Sequence, residues 1–516
     1  MQLQFDFPSN LNADKFIALL SDKASIELSG RQYTIKTYYD SFDWRLFKND
    51  ITCEMNRSKS TSLLSLKHLK TDALIASTEL KDVPSFSHQF TSEIISNHLK
   101  PLLEMRALIP VCTVDYECFY INILNDDNKT VLRLIIQQHE LFNNRLIVQP
   151  IKGYNKHTEQ LISLITNEFD CVPAKQPTLT IALKLQGRKP NDYSSKLNIN
   201  LDPFMRADIA VKHIYSHLLK AIKDNEQGTI ADTDSEFLHD FRVAVRRTRS
   251  GISQLKGLIP DSTNAYFSEF FSWLGQVTGN TRDLDVYLLD FEHYKNSLPE
   301  SMQKDLDPLY DFLLIKQKVT QKELAHHLRS QHYLTKISEW EQFLKEQAPT
   351  TVITPNAKLA IYELANQRIL KSYKKVLRTG SEINEHSPSE ALHDLRKLCK
   401  KLRYLLEFFQ SLYPEEQIKA FIKHLKELQE VLGNFQDYAV QEHALKVFSV
   451  EMLNNNTPAN TLLAIGVLVQ NLDKLRIEAR NEFAERFTGF KHEDKQQDFE
   501  ALFSKKLRPS RFNISS

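Results

Sequence analysis

Over roughly the first two hundred residues, apolar and polar positions alternate in short runs. Arg31–Tyr39, Ala73–Leu80, Cys118–Leu124, Val131–Gln137 and Arg145–Ile151 are rich in aromatic and β-branched residues, and turn formers such as Asn125-Asp126-Asp127-Asn128 lie between them. A two-residue period of this kind predicts β-strands. Gln176–Leu201 is largely polar, with Gly187, Pro190 and Ser194-Ser195, and reads as a connection. From Asp202-Pro203 to about Phe503 the period changes. Apolar residues recur at three- and four-residue steps and glycine is scarce, which predicts helices. Helix breaks are expected at Asp224–Asp234, Leu258–Asn264, Pro299-Glu300, Pro349–Pro355, Gly380–Pro388, Tyr413–Glu416 and Asn454–Asn460. Ser235 and Ser389, each just ahead of Glu-x-Leu-His, are the expected N-caps. The predicted fold class is an α+β domain over residues 1–197, rich in antiparallel β-structure, followed by an all-α domain over 204–505.

The helical part repeats itself. Leu238-His239-Asp240-Phe241-Arg242 recurs as Leu392-His393-Asp394-Leu395-Arg396, a shift of 154 residues (392 − 238). The same shift carries Ser235-Glu236 onto Ser389-Glu390, Arg246-Arg247 onto Lys400-Lys401, Arg249 onto Arg403 and Pro260 onto Pro414. It also carries Gly279-Asn280-x-Arg282-Asp283 onto Gly433-Asn434-x-Gln436-Asp437. An internal duplication fixes architecture, here two helical bundles at approximately 204–345 and 356–503.

What both copies keep is mostly basic. On a wheel at roughly 100° per residue with His239 at zero, Arg242, Arg246 and Arg249 fall at about −60°, −20° and −80°, on one narrow face. Leu238, Val245, Ile252 and Leu255 fall beyond its edge or opposite. His393, Arg396, Lys400 and Arg403 repeat the stripe, and Arg247 and Lys401 lie about 80° to the other side, where they would flank it. Like charges at three- and four-residue spacing disfavour an isolated helix by a few tenths of a kcal/mol per pair, roughly. Neither stripe carries an acid of its own, so carboxylates from another helix or an anionic ligand must neutralise it. Guanidinium groups grip phosphate oxygens bidentately, and lysine adds a mobile point charge. A lone basic face is ordinarily just solvated; its retention in a second copy favours a ligand. Asp283 and Asp437 each lie 44 residues after their histidine (283 − 239 and 437 − 393) behind a Gly-Asn turn. With Arg282 they are expected to orient the basic side chains, with no catalytic role.

Composition narrows the picture. The chain has 516 residues, too many for one core, and 66 basic against 65 acidic residues leave a net charge of +1, so any basic site is local. Five scattered cysteines with no CxxC pair argue against a disulfide framework and structural zinc. The longest apolar run, Leu462–Val469, is too short to span a bilayer, and the opening MQLQFDFPSN lacks the basic stretch of a secretory signal. A cytoplasmic protein without membrane association is expected. No P-loop, GxSxG, HExxH or dinucleotide fingerprint is present, and neither a metal nor another cofactor is expected. His326-His327 are adjacent and diverge on a helix; Lys212, His213, Lys316, Lys318, Arg329 and Lys371 read as solvated surface positions.

His239-x-x-Arg242-x-x-x-Arg246-x-x-Arg249, Gly279-x-x-Arg282-Asp283-x-Asp285-Val286 and His393-x-x-Arg396-x-x-x-Lys400-x-x-Arg403-Tyr404 resemble the CHAD domain, the conserved-histidine α-helical domain, over about residues 204–503. The resemblance implies a double helical bundle whose basic surface binds inorganic polyphosphate without catalysis, and association with polyphosphate granules. The second copy departs from the pattern with Gln436 for Arg282 and Ala439 for Asp285. Upstream, Tyr38-Tyr39-Asp40-Ser41-Phe42-Asp43-x-x-Leu46 resembles the signature of CYTH domains, with Leu66-Lys67, the Arg145–Tyr154 stretch and Ser195-Lys196 in support. That resemblance, over about residues 1–197, implies an antiparallel β-tunnel for triphosphate and divalent metal. The family's opening Glu-x-Glu-x-Lys is replaced by Gln2-Leu3-Gln4-Phe5-Asp6, its Arg-rich strand reads Ile51-Thr52-Cys53-Glu54-Met55-Asn56-Arg57, and Gln149 stands where an acid is expected. Tunnel chemistry needs carboxylates for the metal and several cations for phosphate. A degenerate, non-hydrolytic domain is therefore expected, with a metal-dependent triphosphatase or polyphosphatase as the alternative. Nucleic acid ranks behind polyphosphate as a partner, because the basic face lacks interleaved aromatics for base stacking. The sequence sets no oligomeric state.

Overall fold

The computed structural model describes residues 3–347, 354 and 356–505. Gln2, and the expected break at Pro349–Pro355 apart from Thr354, lie outside the described residues. The chain divides into two compact units, one ending at Ser194 and the other starting at Ser195.

The first unit is a nine-stranded sheet with every pairing antiparallel among the described residues. In chain order its strands are β1 (Leu3–Asp6), β2 (Ile26–Asp40), β3 (Ile51–Arg57), β4 (Ser62–His68), β5 (Leu74–Glu79), β6 (Ile109–Leu124), β7 (Thr130–Gln138), β8 (Arg145–Pro150) and β9 (Val172–Pro173). They lie side by side as β5-β4-β3-β2-β6-β7-β8-β1-β9. Helices α1 (Ala13–Ser21), α2 (Arg45–Lys48), α3 (Glu93–Leu103), α4 (Asn155–Asn167) and α5 (Thr178–Leu185) accompany it.

Alternation along the strands separates two faces. On β7 and β8, Leu132, Leu134, Ile136, Leu146 and Val148 are buried in a core with Phe16 and Leu20 of α1 and Leu161 and Ile165 of α4. The intervening Ile135, Gln137, Arg145, Ile147 and Gln149 face a cavity of about 630 Å³ instead. All five expected strands are present. The polar stretch Gln176–Leu201 is not purely a connection: Leu179, Ala182 and Leu183 give α5 a buried face against β6. Leu197 and Leu201 already belong to the core of the second unit.

That second unit is helical. Its elements are α6 (Ala207–Ala231), α7 (Ser235–Gln254), α8 (Asp261–Val277), α9 (Gly279–Leu289), α10 (Phe291–Asn296), α11 (Asp307–Arg329), α12 (Gln331–Lys345), α13 (Ile361–Ser381), α14 (Ser389–Phe409), α15 (Glu415–Asn454), α16 (Ala459–Phe490) and α17 (Glu493–Phe503). Three pairs of helix starts keep the sequence shift of 154: 361 − 207, 389 − 235 and 415 − 261. The copies also meet through equivalent atoms. Ala207 N donates to Leu359 O and Ile361 N donates to Met205 O, each at 2.9 Å, around an antiparallel bridge between Arg206 and Ala360. Applying the shift to either bond generates the other, the mark of a pseudo-twofold axis. One large core joins α6, α7, α8, the end of α11, α12, α13, α14, the first part of α15, the second half of α16 and α17. A satellite core lies under α9, α10, α11, the rest of α15 and α16.

Local details correct the sequence reading in three places. The expected break at Asp224–Asp234 narrows to residues 232–234, because α6 continues to Ala231. Gly228 lies inside this helix, and a Cβ there would stand 2.2 Å from the Phe237 ring, so only glycine fits. Neither Gly-Asn pair forms a turn: Gly279-Asn280 opens α9 and Gly433-Asn434 lies within α15. The N-caps are one residue earlier than expected. Asp234 accepts from the backbone N–H groups of Glu236 and Phe237, making Ser235 the first helical residue, and Pro388 occupies the cap of α14. No helix among the described residues is long and apolar enough to cross a membrane.

Candidate functional site

The two repeated helices α7 and α14 pack against each other. Each buries an apolar face, Leu238, Phe241, Val245 and Ile252 on α7 and Leu392, Leu395, Leu402 and Leu406 on α14. That burial leaves the opposite stripe of each helix outside the core. Arg246 and Lys400, equivalent in the two copies, lie close enough that Arg246 lowers the pKa of Lys400. The stripes therefore adjoin across the pseudo-twofold.

Each histidine meets the residue 43 positions later (282 − 239 and 436 − 393), but the chemistry differs. Arg282 Nη2 lies 3.0 Å from His239 Nδ1. A guanidinium only donates, so that nitrogen of His239 accepts. His393 Nδ1 lies 2.8 Å from Gln436 Oε1, an acceptor, so there the histidine donates. Replacing Arg282 by Gln436 thus removes one cation and inverts the tautomer. Arg282 is held further by Ser235 O at 3.2 Å and Glu236 at 3.8 Å.

The next cation also diverges between copies. Arg242 Nη1 donates to Gly275 O at 3.3 Å and to Thr278 Oγ1 at 3.0 Å, where the helix breaks between α8 and α9. In the second copy the equivalent helix, α15, runs on without a break and offers no free carbonyl. Arg396 turns to Asp437 instead, at 3.0 Å. Asp283 has no such direct bond; burial raises its pKa, Arg242 and Arg282 oppose that, and Asp437 adds to it. Gly275 leaves room for Arg249, whose Nη1 would stand 2.6 Å from a Cβ there, whereas a Cβ at Gly279 or Gly433 would be in ordinary contact with Arg242 and Arg396.

The flanking pair behaves differently from expectation. Arg247 is committed internally: it donates to Glu407 at 2.9 and 3.2 Å and to Ser195 O at 3.2 Å. Glu407 also pairs with Arg403 at 3.5 Å. The acid needed to relieve α14 was present four residues after Arg403, and the wheel limited to the first turns missed it. Position 253, equivalent to Glu407, is a serine, so Lys401 gains no counterpart to the Arg247 bridge and is exposed.

After these pairings, Arg242, Arg246, Arg249 and Lys400 have no ion-pair partner among the described residues. Arg249 donates only to Ser272 Oγ at 3.2 Å. The Nε groups of Arg242, Arg246, Arg396 and Arg403 are buried without a hydrogen bond. Burial and Arg246 pull the Arg242 pKa down to about 10, against Asp283. Burial, Arg396 and Arg246 pull Lys400 down to about 8. Both shifts signal cations held together with too little counter-charge. Of the other basic residues, Lys212 donates to Phe343 O and Glu346 O, Lys316 pairs with Glu451, and His213, Lys318, Arg329 and Lys371 are exposed.

In the first unit, the Tyr38–Leu46 motif is structural. Asp40 accepts from the backbone N–H groups of Ser41, Leu46 and Phe47 at 2.7–2.9 Å, while burial raises its pKa to about 6. Gln4, Lys36, Glu54, Lys67, Arg145 and Gln149 line the cavity. Glu54 is buried between Lys36, at 3.2 Å, and Lys67. Burial alone would raise its pKa, yet Lys36 and Lys67 hold it down to about 2. Among the described residues no group of three or more His, Cys, Asp or Glu is placed to hold a metal ion.

Comparison with known proteins finds the following similarities. The chain is similar over 248 residues to uncharacterized proteins of two Mycobacterium tuberculosis strains, CDC 1551 and H37Rv, at 24% identity. The match covers 48% of this chain and 46% of theirs, so the similarity spans about half of each relative. Among solved structures, the CHAD domain of Ricinus communis covers 60% of this chain and 98% of its own, at 23% identity and a TM-score of 0.46. PptA from Streptomyces chartreusis covers 55% and 100%, at 14% identity and a TM-score of 0.40. A Hippeastrum protein described as having a dominant triphosphatase activity covers 37% and 99%, at 10% identity and a TM-score of 0.28. The family model for the CHAD domain matches residues 213–446, which span both stripes and both aspartates. The helical unit of this chain carries a CHAD domain.

Proposed function

We propose that the helical unit binds inorganic polyphosphate, or a closely related polyanion, without catalysing its turnover. The observation that carries this reading is the set of cations without ion pairs among the described residues on two adjoining, equivalent helices: the partly buried Arg242 and Arg246 and the exposed Arg249 from one copy and the partly buried Lys400 from the other. Holding like charges together and out of water is costly unless an anion arrives. Phosphate oxygens supply the missing acceptors for guanidinium N–H groups, and a chain of phosphates would span both stripes. Arg396 and Arg403 contribute from the edge, partly neutralised by Asp437 and Glu407. His239 and His393 sit beside the stripe and orient through Arg282 and Gln436. The first unit acts as a scaffold or interaction module in this reading.

Titration of long-chain polyphosphate against the wild type and an Arg242/Arg246/Arg396/Lys400→Ala variant tests it. Binding should be salt-dependent in the wild type, through counterion release, and should fall at least tenfold in the variant. Equal affinity in the two proteins would sink the assignment. RNA at matched charge should compete poorly, since the stripe offers no stacking platform.

A further inference from the structure

The histidines of the two repeats occupy equivalent positions but differ in what a second proton would do to them. On α7, the Arg282 guanidinium donates to His239 Nδ1 at 3.0 Å. That nitrogen keeps its lone pair, so the ring is neutral and its one proton is on Nε2. Protonating Nδ1 would set N–H against N–H beside a permanent cation. On α14, His393 Nδ1 donates to Gln436 Oε1 at 2.8 Å, so the neutral ring has its lone pair on Nε2. A second proton, on Nε2, leaves the bond to Gln436 intact. Nε2 of His393 reaches solvent and has no partner among the described residues.

His393 lies on the same face of α14 as Arg396 and Lys400. On its own helix the charged neighbours are the exposed Glu390, Asp394 paired with Lys397 at 3.1 Å, and Arg396, which is held by Asp437 of α15 at 3.0 Å. Arg246 of α7 stands beside Lys400, further along the stripe. Arg480 of α16 is tied to the carbonyls of Asn384, Glu385 and Ser387, ahead of α14. Helix α13 meets α14 through apolar residues, Ile369 and Val376 among them. Phosphate oxygens are acceptors. A neutral His393 offers them a lone pair, whereas its imidazolium offers an N–H and a positive charge. Histidines change charge between about pH 5 and 8, and a nearby anion favours the charged form.

We propose that anion binding to the helical unit is coupled to uptake of a proton by His393 and not by His239, and that Gln436 is the residue that makes the two halves differ. This rests on the polyphosphate reading of the site. The first half then meets the anion with fixed charge, and the second half with charge that follows pH. Because the anion binds the protonated form better, affinity rises as pH falls.

Calorimetry of the full chain with long-chain polyphosphate at pH 7, in buffers of different ionisation enthalpy, counts the protons taken up. At that pH Lys400, near 8, is already mostly charged. Wild type and His239→Gln should take up roughly half a proton or more, since an unperturbed histidine is mostly neutral there. His393→Gln should take up less than a quarter as much. Gln436→Arg puts a guanidinium against His393, should hold it neutral and should likewise abolish uptake. Wild-type affinity should fall at least threefold from pH 6 to 7.5, and that of Gln436→Arg by less than half as much. Nitrogen NMR of the histidine rings in the wild type keeps the test open if a variant fails to fold. A ring protonated on Nδ1 should become charged when polyphosphate is added. Equal uptake in wild type and His393→Gln, or none in the wild type, would overturn the coupling and leave polyphosphate binding standing. Polyphosphate that does not bind the wild type at all would overturn both readings.

Discussion

At the scale of single residues, the helical unit holds like charges together at a cost in stability. Lys400 is the clearest case. Its pKa lies near 8, below the ordinary 10.5, because burial and neighbouring arginines penalise the charged form. The folded state therefore binds fewer protons than the unfolded state between those values, and stability rises as pH climbs from about 8 toward 10.5. Lys400→Met should stabilise the ligand-free protein at pH 7 by on the order of 1–3 kcal/mol and flatten that pH dependence, read by denaturant unfolding. The same change should weaken polyphosphate, and wild-type affinity should drop from pH 7 to 9 as the ammonium is lost. Glu407 makes the opposite prediction. It serves two arginines, Arg247 and Arg403, from a largely buried position. Glu407→Gln should destabilise by about 3–5 kcal/mol, the typical cost of stranding buried charge, while polyphosphate affinity stays level or rises. A fall in affinity as large as that of the Arg242 variant would show that Arg247 and Arg403 matter for binding only when fixed by Glu407.

Among elements, one helix break accounts for the difference between the copies. Where α8 ends at Thr278, a carbonyl is free for Arg242; where α15 continues, Arg396 must use Asp437. Asp437→Asn should therefore loosen Arg396, whereas Asp283→Asn should leave Arg242 in place, a contrast that side-chain NMR of the two guanidinium groups would reveal. At the start of α7, Asp234→Ala removes a cap that satisfies two backbone N–H groups and should cost about 1–2 kcal/mol in thermal unfolding. Much of this level was legible beforehand, for physical reasons. Strands announce themselves through alternation, and the stripes through three- and four-residue spacing. The Gly-Asn pairs misled because glycine serves two purposes. It relaxes turns, but it also sits inside helices, as Gly433 does in α15 and as Gly275 does where the Arg249 guanidinium crosses α8. The bridge from Arg247 to Glu407 escaped notice because the two lie 160 residues apart, and no local period reports such a distance. In the sheet, the ion pairs of Glu54 were equally out of reach, since Lys36 and Lys67 come from two different strands flanking β3.

Taken whole, the molecule joins a sheet unit that holds a polar cavity to a helical unit that carries adjoining cations without ion pairs among the described residues. Each unit has cores made of its own residues. A fragment from Ser195 onward should thus fold and bind polyphosphate within threefold of the full chain, as measured by calorimetry at one fixed salt concentration. Net charge gave no hint of this, because 65 acids offset 66 bases over the chain as a whole and hide a local excess of base where α7 meets α14. The bridge between Met205–Ala207 and Leu359–Ile361 carries a further consequence. Its two hydrogen bonds exchange under the repeat shift, so each half offers the other the same surface it receives. That is the geometry by which two identical subunits close on themselves. The bundle is built like a homodimer whose partners share one chain, and fusion has freed each half to drift: one kept an arginine beside its histidine, the other now holds a glutamine there.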